Sequence, residues 1–413
     1  MAVETTRLTN APRVLILSDE GPQTGTAGGM LLHRLFAGHP PERLRVLARY
    51  VPVTGEPLPG VAYCQLPTPW RRFEGSRFHR WKRSLRAFGL TPSVSISLIN
   101  RLLEGFVPDV VFCVMQHAAY YDAAHHFARH SKLPLVVAIH DVNEAFEPVF
   151  SCALKAARRR DGNFYRQASR RLCISPEMEK FCAAHYGAAG SVLYPNRSEE
   201  LSPRPLAEAG TLRRPGTLTI GFAGNLNYGY GDGLLQMLPS IRAARAHLVL
   251  YGRPPGGTAA ALGAATDCCE LRGFTSSSSE AWAGIQRDCD AVWLPYPNPA
   301  GTMEPLYRYH FPSKLPEYLA LGLPVVVTGP DYATGVQWAR RNPDAVASIP
   351  TPATAEEMTA FFQRLATDAD LRCRLAGQGW QAGQRDFDPR RIVAEFHAHL
   401  AAAADGYSPL TTP

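Results

Sequence analysis

Arg13-Val-Leu-Ile-Leu-Ser18 is a short apolar run; a loop carrying Gly21, Gly25, Gly28 and Gly29 follows, and then Met30-Leu-Leu-His-Arg-Leu-Phe36 with helical spacing. A strand, a glycine loop and a helix is the expected order. The same alternation recurs at Asp109 to Val114 with the segment after Ala118, at Leu133 to Ile139, and at Arg171 to Ser175 with a helix from Pro176. Strands separated by helices pair in parallel through right-handed crossovers, which predicts one doubly wound sheet.

From Asn196 to Gly216 the composition shifts to Pro203, Pro205, Gly210, Pro215 and Gly216 among many charges, which marks a domain boundary. The pattern then restarts. Leu218 to Ala223 predicts a strand, Gly224, Gly229, Gly231 and Gly233 a loop, and the stretch near Leu234 to Ala244 a helix. Leu248 to Tyr251, Ala291 to Leu294 and Leu323 to Thr328 supply further strands. Ala355 to about Ala404 reads as helical, with Asp388 and Pro389 placed to cap and begin the last helix. The fold class is therefore α/β with two parallel-sheet domains. The expected divisions are 1–200, 201–387, and 388–413, the last a helix packing back on the N-terminal domain plus a tail.

The 413 residues, 46% hydrophobic and 19% charged, exclude a small stapled module and a mainly disordered, collagen-like or heptad-built chain. No stretch approaches the roughly 18 apolar residues of a bilayer span, and Met1 to Pro12 lacks a basic-then-apolar signal pattern. Nine cysteines lie scattered without Cys-x-x-Cys, as reduced thiols of a cytoplasmic protein would. Neither Cys268–Cys269 nor His125–His126 has zinc-ligand spacing, so no metal is expected.

The net charge of +7 is concentrated. Arg71, Arg72, Arg77, Arg80, Lys82, Arg83 and Arg86 face one acid, Glu74, and interleave with Phe73, Phe78, Trp81, Leu85 and Phe88. A helix there would show a cationic face and an aromatic-rich face, suited to an anionic membrane surface. A solvated helix with its aromatics packed inward accounts for the pattern nearly as well. Lys155 to Arg171 holds a second cluster. No nucleic-acid-reading motif accompanies either.

The chemically informative stretch is Tyr307-Arg-Tyr-His-Phe-Pro-Ser-Lys-Leu-Pro-Glu-Tyr-Leu-Ala-Leu-Gly-Leu-Pro-Val-Val-Val327. Ser313 can cap a short helix, Pro316 is tolerated in its first turn, and Gly322 ends it before Pro324. Lys314 puts a positive charge where the helix dipole is already positive, which is unfavourable unless an anion sits there. Glu317 lies one turn on, along the same face. A lysine for phosphates and a carboxylate for ribose hydroxyls would suit a nucleoside diphosphate. By spacing alone, a surface Lys–Glu pair serves as well.

This segment resembles the donor-site motif of retaining GT-B glycosyltransferases of the family-4 type: a Ser-Lys-Leu turn, a Glu-Tyr-Leu-Ala helix and Gly-x-Pro-Val-Val. His140-Asp141 after an apolar strand, Ile174-Ser175, Tyr194-Pro-Asn196, Gly221 to Leu226, Leu248 to Gly252 and Arg272-Gly-Phe274 are similar to that family's landmarks in order, over about residues 13–400. Arg197 stands where the family has a glycine after Pro-Asn. Two further departures are Tyr309, where a second glutamate is common, and Asn225 with the Tyr228 to Gly233 run, where an arginine and a lysine are common.

The resemblance implies GT-B architecture, two facing Rossmann-like domains with an interdomain cleft, the acceptor on the N-terminal domain and the nucleotide sugar on the C-terminal one. It implies sugar transfer with retention, without a metal or other cofactor, from a UDP- or GDP-sugar to a glycan or lipid-linked acceptor. Lys314, His140 and Asp141 would be catalytic. Gly28, Gly29, Gly224, Asn225, Arg253, Gly273, Phe274, Thr275, Ser313, Lys314 and Glu317 would bind the donor, Gly28 and Gly29 by letting the backbone approach the phosphates. His117, His310 and Glu304 rank lower. The location implied is cytoplasmic, at an inner membrane face. A sugar-nucleotide epimerase or hydrolase, or a non-catalytic nucleotide-sugar binder, are the competing readings.

Overall fold

The computed structural model describes residues 11–51, 55–68, 78–91, 93–142, 149–227, 229–252, 254, 256–275, 277–297 and 303–406. The chain forms two compact units, residues 1–196 with 390–413, and residues 197–389.

In unit 1 the strands are β1 (Val14–Ser18), β2 (Leu44–Ala48), β3 (Ala62–Gln65), β4 (Val110–Val114), β5 (Leu135–Ile139), β6 (Arg170–Cys173) and β7 (Ser191–Val192). They form one seven-stranded sheet in the order β3-β2-β1-β4-β5-β6-β7. Every pairing is parallel, with Val14 opposite Leu44 on one side and Val110 on the other. The central strands β1, β4 and β5 are buried throughout, which is why they appear in the sequence as unbroken apolar runs. β3 is a half-exposed edge strand with no such signature. Strand order reverses between β1 and β4, the switch point at whose carboxyl ends open α/β sheets usually bind ligands.

The helical C-terminal stretch is three helices, Ala355–Thr367, Ala369–Phe387 and Pro389–Asp405. Asp368 breaks it by capping the second, its carboxylate accepting from Leu371 N–H at 2.8 Å. The last helix completes the core of unit 1: Ile392, Phe396, Leu400 and Ala403 join Val14, Phe36 and Phe112. The Phe396 ring meets Phe36 edge-on at 4.9 Å and Phe112 at 5.4 Å.

The basic helix of unit 1 differs from its expectation. It spans His79–Ala87 and buries Lys82, Ser84 and Arg86 while exposing Phe78, Trp81 and Phe88. Arg86 turns inward because Asp122 receives its guanidinium at 3.5 Å. The cations are thus divided between the two faces. Arg71 to Arg77 fall outside the described residues.

Unit 2 holds β8 (Thr219–Ala223), β9 (His247–Tyr251), β10 (Cys269–Gly273), β11 (Ala291–Pro295), β12 (Val325–Gly329) and β13 (Ala347–Pro350). They form a parallel six-stranded sheet, β10-β9-β8-β11-β12-β13. The proline-rich segment after Asn196 is fastened to this unit. Buried Arg204 donates to the carbonyls of Gln286 and, at 2.5 Å, Cys289, at the end of helix Ser278–Asp288. Gly322 adopts φ +66° beside this segment, and a Cβ there would lie 2.8 Å from Arg204 N.

His39 and His397 stack in unit 1 with ring centroids 5.4 Å apart, both buried. Their Nε2 atoms lie 3.1 Å from Pro12 C=O and 3.0 Å from Leu35 C=O, so each ring donates from Nε2 and carries its lone pair on Nδ1. Burial, with His39 adding to it, pushes His397 down to about 4. The folded pKa lies below the unfolded value, so this contribution is present above about pH 6.5 and is lost as pH falls toward 4. We expect urea-unfolding stability to drop by on the order of 3 kcal/mol across that interval. His397→Phe should flatten most of that slope; an unchanged slope would show that the pair does not govern it.

Candidate functional site

In unit 2, Phe311-Pro312-Ser313 leads into helix Lys314–Ala320, whose Leu315, Tyr318 and Leu319 are buried. The Tyr318 hydroxyl accepts from Ala223 N–H at 3.2 Å and lies 3.4 Å from Ala223 C=O, which ties this helix to the end of β8. Lys314 stands one turn earlier on the same face and is thereby laid against Gly224. A Cβ on Gly224 would lie 2.6 Å from Lys314 Cε, and the backbone there has φ +127°, so glycine is required twice over.

The Lys314 Nζ sits 4.3 Å from the Tyr230 ring centroid and 5.6 Å from that of Phe222. Lys314 is half-buried, and these π-faces attract the ammonium while replacing little of the hydration it has lost. Burial accordingly presses its pKa down to about 8. Among the described residues no carboxylate pairs with it. Tyr230 is held in turn by Tyr296 and Tyr307, at 5.7 and 6.2 Å between centroids. Gly229, at φ +84°, admits the Tyr307 hydroxyl, which would lie 2.6 Å from a Cβ. Tyr230 of the Tyr/Gly run, with Phe222 of β8, thus builds the lysine's aromatic wall, while Tyr228 lies outside the described residues. Sequence reasoning missed Tyr230 and Phe222; alternating tyrosine and glycine before a helix was the available signal.

Several expected donor groups are already engaged. Gly224 N–H donates to Tyr251 C=O at 2.8 Å, and Gly252 N–H to Gly273 C=O at 2.8 Å. The backbone amide of Gly224 therefore belongs to the sheet and is not free for an anion. Ser313 makes no side-chain cap bond and is exposed, because its own backbone is already helical (φ −59°, ψ −19°). The exposed Asn225 accepts from Asn227 N–H at 2.8 Å, and the Thr275 hydroxyl donates to Ser277 C=O at 2.6 Å. Arg272 is held by Glu270 at 2.8 Å and by the Tyr251 hydroxyl at 2.7 Å. Gly273 turns at φ +70°, and Phe274 beside it is 74% exposed at the strand-end edge. Arg253 lies outside the described residues.

Glu317 is buried, and its Oε2 accepts from Ser198 N–H at 3.4 Å. Arg197 donates to Ser198 C=O at 3.0 Å, so both side chains grip the same residue. Lys314 and Glu317 share a helix but have different neighbours, Gly224 for one and Ser198 for the other. Glu304 pairs with Arg308 at 2.5 Å, and His310 receives the Thr334 hydroxyl at its carbonyl.

The remaining expected residues lie in unit 1. His140 and Asp141 follow β5 and are half-buried. His117 caps helix Ala118–His130, its Nδ1 accepting from Ala119 N–H at 3.3 Å. Gly28 and Gly29 open helix Ala27–Phe36, but not onto an empty cradle. Gly29 N–H donates to the cap residue Thr26 at 3.1 Å, and a Cβ on Gly29 would strike Gln23 Cγ at 2.4 Å. The carboxylate of Glu20 occupies the loop. Its Oε1 accepts from Gln23 Nε2 at 3.0 Å and from the Thr26 hydroxyl. Desolvation is the main cause of its rise to about 7, with the nearby Asp19 charge adding to it. Among the described residues no three His, Cys, Asp or Glu side chains converge to hold a metal ion, and no helix is long and apolar enough to cross a membrane.

Two parallel-sheet α/β units in one chain are the GT-B fold, and solved structures share it across nearly the whole length. HepE from Anabaena, in complex with UDP and glucose, superposes with a TM-score of 0.65 at 14% identity, covering 94% of this chain and all of that one. WaaG, a glycosyltransferase involved in lipopolysaccharide biosynthesis, gives 0.59 at 14% identity over 96% and 99% of the two chains. A structure provisionally assigned as a UDP-N-acetylglucosamine 2-epimerase from Listeria monocytogenes gives 0.57 at 12% identity over 97% and 98%. No protein-family profile and no curated protein matches the sequence. The likeness is one of fold, which transferases and an epimerase share.

The contact between Lys314 and Gly224 makes a direct prediction. Gly224→Ala should lower unfolding stability by about 1–3 kcal/mol through backbone strain and steric clash. Gly256→Ala, where a Cβ meets open space, should change it little. Equal urea midpoints for the two variants would contradict the packing.

Proposed function

We propose that this protein is a glycosyltransferase that takes a sugar from a nucleotide-diphosphate donor held by unit 2. The observation that carries this reading is the half-buried Lys314 ammonium, held against Tyr230 and Phe222 at a helix start with no described carboxylate to neutralise it. A diphosphate there supplies the missing charge, and its charge grows as the sugar departs. A preorganised cation acts most strongly on such developing charge. The fold shared with HepE, solved with UDP, supports a UDP-sugar ahead of a GDP-sugar.

By resemblance, transfer proceeds with retention and without a metal. Glu317 meets the ribose, Phe274 and Thr275 lie toward the base, and Gly273 shapes that turn. His140 orients the transferring hexose, with Asp141 positioning His140. The acceptor, a glycan or lipid-linked glycan, belongs to unit 1. The provisional epimerase match keeps a sugar-nucleotide epimerase as the second reading, separable by whether product forms without an acceptor.

Thermal-shift titration with UDP-, GDP-, dTDP- and ADP-glucose tests the donor. One of these should raise the wild-type transition, and Lys314→Ala should weaken that binding at least tenfold. Glu317→Ala should weaken it less, since Ser198 N–H already occupies part of the carboxylate. Binding that is indifferent to Lys314 would refute the reading.

The inverted helix His79–Ala87 supports a peripheral membrane location. Phe78, Trp81, Phe88 and Leu90 are exposed there, and Lys155, Arg158 and Arg159 are exposed on the adjoining helix Ser151–Gln167. Aromatic rings at the headgroup level beside cations suit an anionic interface. Flotation with vesicles containing anionic lipid should recover wild-type protein and much less Trp81→Ala. Equal recovery of the variant, or equal recovery with neutral vesicles, would remove the idea.

A further inference from the structure

Lys314 carries its ammonium on a flexible stem, which samples many rotamers unless something holds both of its ends. The root is fixed, because Tyr318 one turn on is tied to Ala223 N–H at 3.2 Å. The stem is guided next, where Cε crosses Gly224. Among the described residues the Nζ atom makes no hydrogen bond or ion pair, which leaves the rings of Tyr230, at 4.3 Å, and Phe222, at 5.6 Å, to set its position.

The nearer ring is itself held. Tyr230 opens helix Tyr230–Ala243 and is buried. Tyr296 lies 5.7 Å from it, Phe222 6.1 Å and Tyr307 6.2 Å between centroids, and Tyr296 and Tyr307 meet each other edge-on at 5.0 Å. The start of the helix is pinned as well. Gly231 N–H donates to Leu226 C=O at 3.0 Å, and a Cβ on Gly231 would lie 2.7 Å from Thr258 Cγ2. Ring and backbone are both fixed, so the face turned to Lys314 has one orientation.

Resting on the donor reading, we propose that Tyr230 is a positioning residue whose ring seats the Lys314 ammonium for the diphosphate of the nucleotide donor. The ring acts through the lysine and need not touch the ligand. Its hydroxyl is not required, since the cation is drawn to the face of the ring, which phenylalanine also offers.

A ring that served packing alone would have no cause to face a cation. Leucine would fill much of the same volume but offers no negative face to an ammonium. Other groups nearby do not take over the seat. The Tyr318 hydroxyl is engaged at Ala223, Glu317 on the same helix meets Ser198 N–H at 3.4 Å, and Asp232 in the first turn of the Tyr230 helix is exposed. An ammonium already in place spares the arriving diphosphate the cost of ordering a long side chain.

Calorimetric titration of UDP, GDP, dTDP and ADP identifies the diphosphate that binds wild type most tightly, and that ligand is carried to the variants. Tyr230→Phe should bind within about twofold of wild type, while Tyr230→Leu and Tyr230→Met, which lack the ring, should each bind about fivefold more weakly or worse. Two ringless variants guard against a loss of folding in one, and their thermal transitions are measured alongside. In a Lys314→Met background Tyr230→Leu should have no further effect, because the ring works only through the ammonium. Wild-type affinity in the folded ringless variants, or an equal loss with and without the lysine, would overturn the role of Tyr230 and leave the donor reading intact. Failure of wild type to bind any of the four diphosphates would instead bring down the donor reading, and the role of Tyr230 with it.

Discussion

A half-buried lysine ammonium laid against aromatic rings, without a carboxylate among the described residues, is the feature on which the functional reading depends. An unpaired charge drawn partly out of water is costly, and proteins ordinarily answer it with a partner, a pKa shift or a ligand. Lys314 shows the shift, down to about 8, and the faces of Tyr230 and Phe222 supply partial compensation. The placement is imposed by the fold. Tyr318 locks the helix to Ala223, and the absence of a side chain at Gly224 lets the lysine stem cross the end of β8. A residue positioned this closely, at a cost in stability, is typical of a functional site.

The two glycine loops look alike in sequence and are built differently. In unit 2, Gly224 and Gly229 exist to be approached, one by Lys314 and the other by Tyr307. In unit 1, Gly29 is tight against Gln23 and Thr26, while Gly28 clears space for Glu20. A strand, glycines and a helix are equally consistent with an anion cradle, a clearance for a cation and a berth for a carboxylate. Only the contacts separate these possibilities, because a glycine has no side chain with which to declare its use.

The buried centre of each sheet was legible in the sequence because burial on both faces demands continuous apolar runs, as in Val14 to Ser18 and Val325 to Val327. The edges were not. β3 and β10 are half-exposed and carry mixed residues such as Tyr63, Gln65, Glu270 and Arg272. Lys314 was legible as a charge misplaced on a helix start; its aromatic wall was not, since Phe222 and Tyr230 come from a strand and a separate helix. Helix His79–Ala87 went astray for a related reason. Periodicity separates its faces but cannot say which is inward when a distant Asp122 draws Arg86 into the interior.

The same limit governs the step from fold to chemistry. A GT-B scaffold is shared by proteins solved with UDP and by a provisional epimerase, so the sheets position a reaction without choosing it. The choice rests with side chains at strand ends. Lys314 adjoins the end of β8, where its charge would favour a ligand that carries or gains negative charge. A transferase and an epimerase acting on a nucleotide sugar would have the same use for such a cation, so Lys314 speaks to the charge of a ligand and not to the reaction that follows.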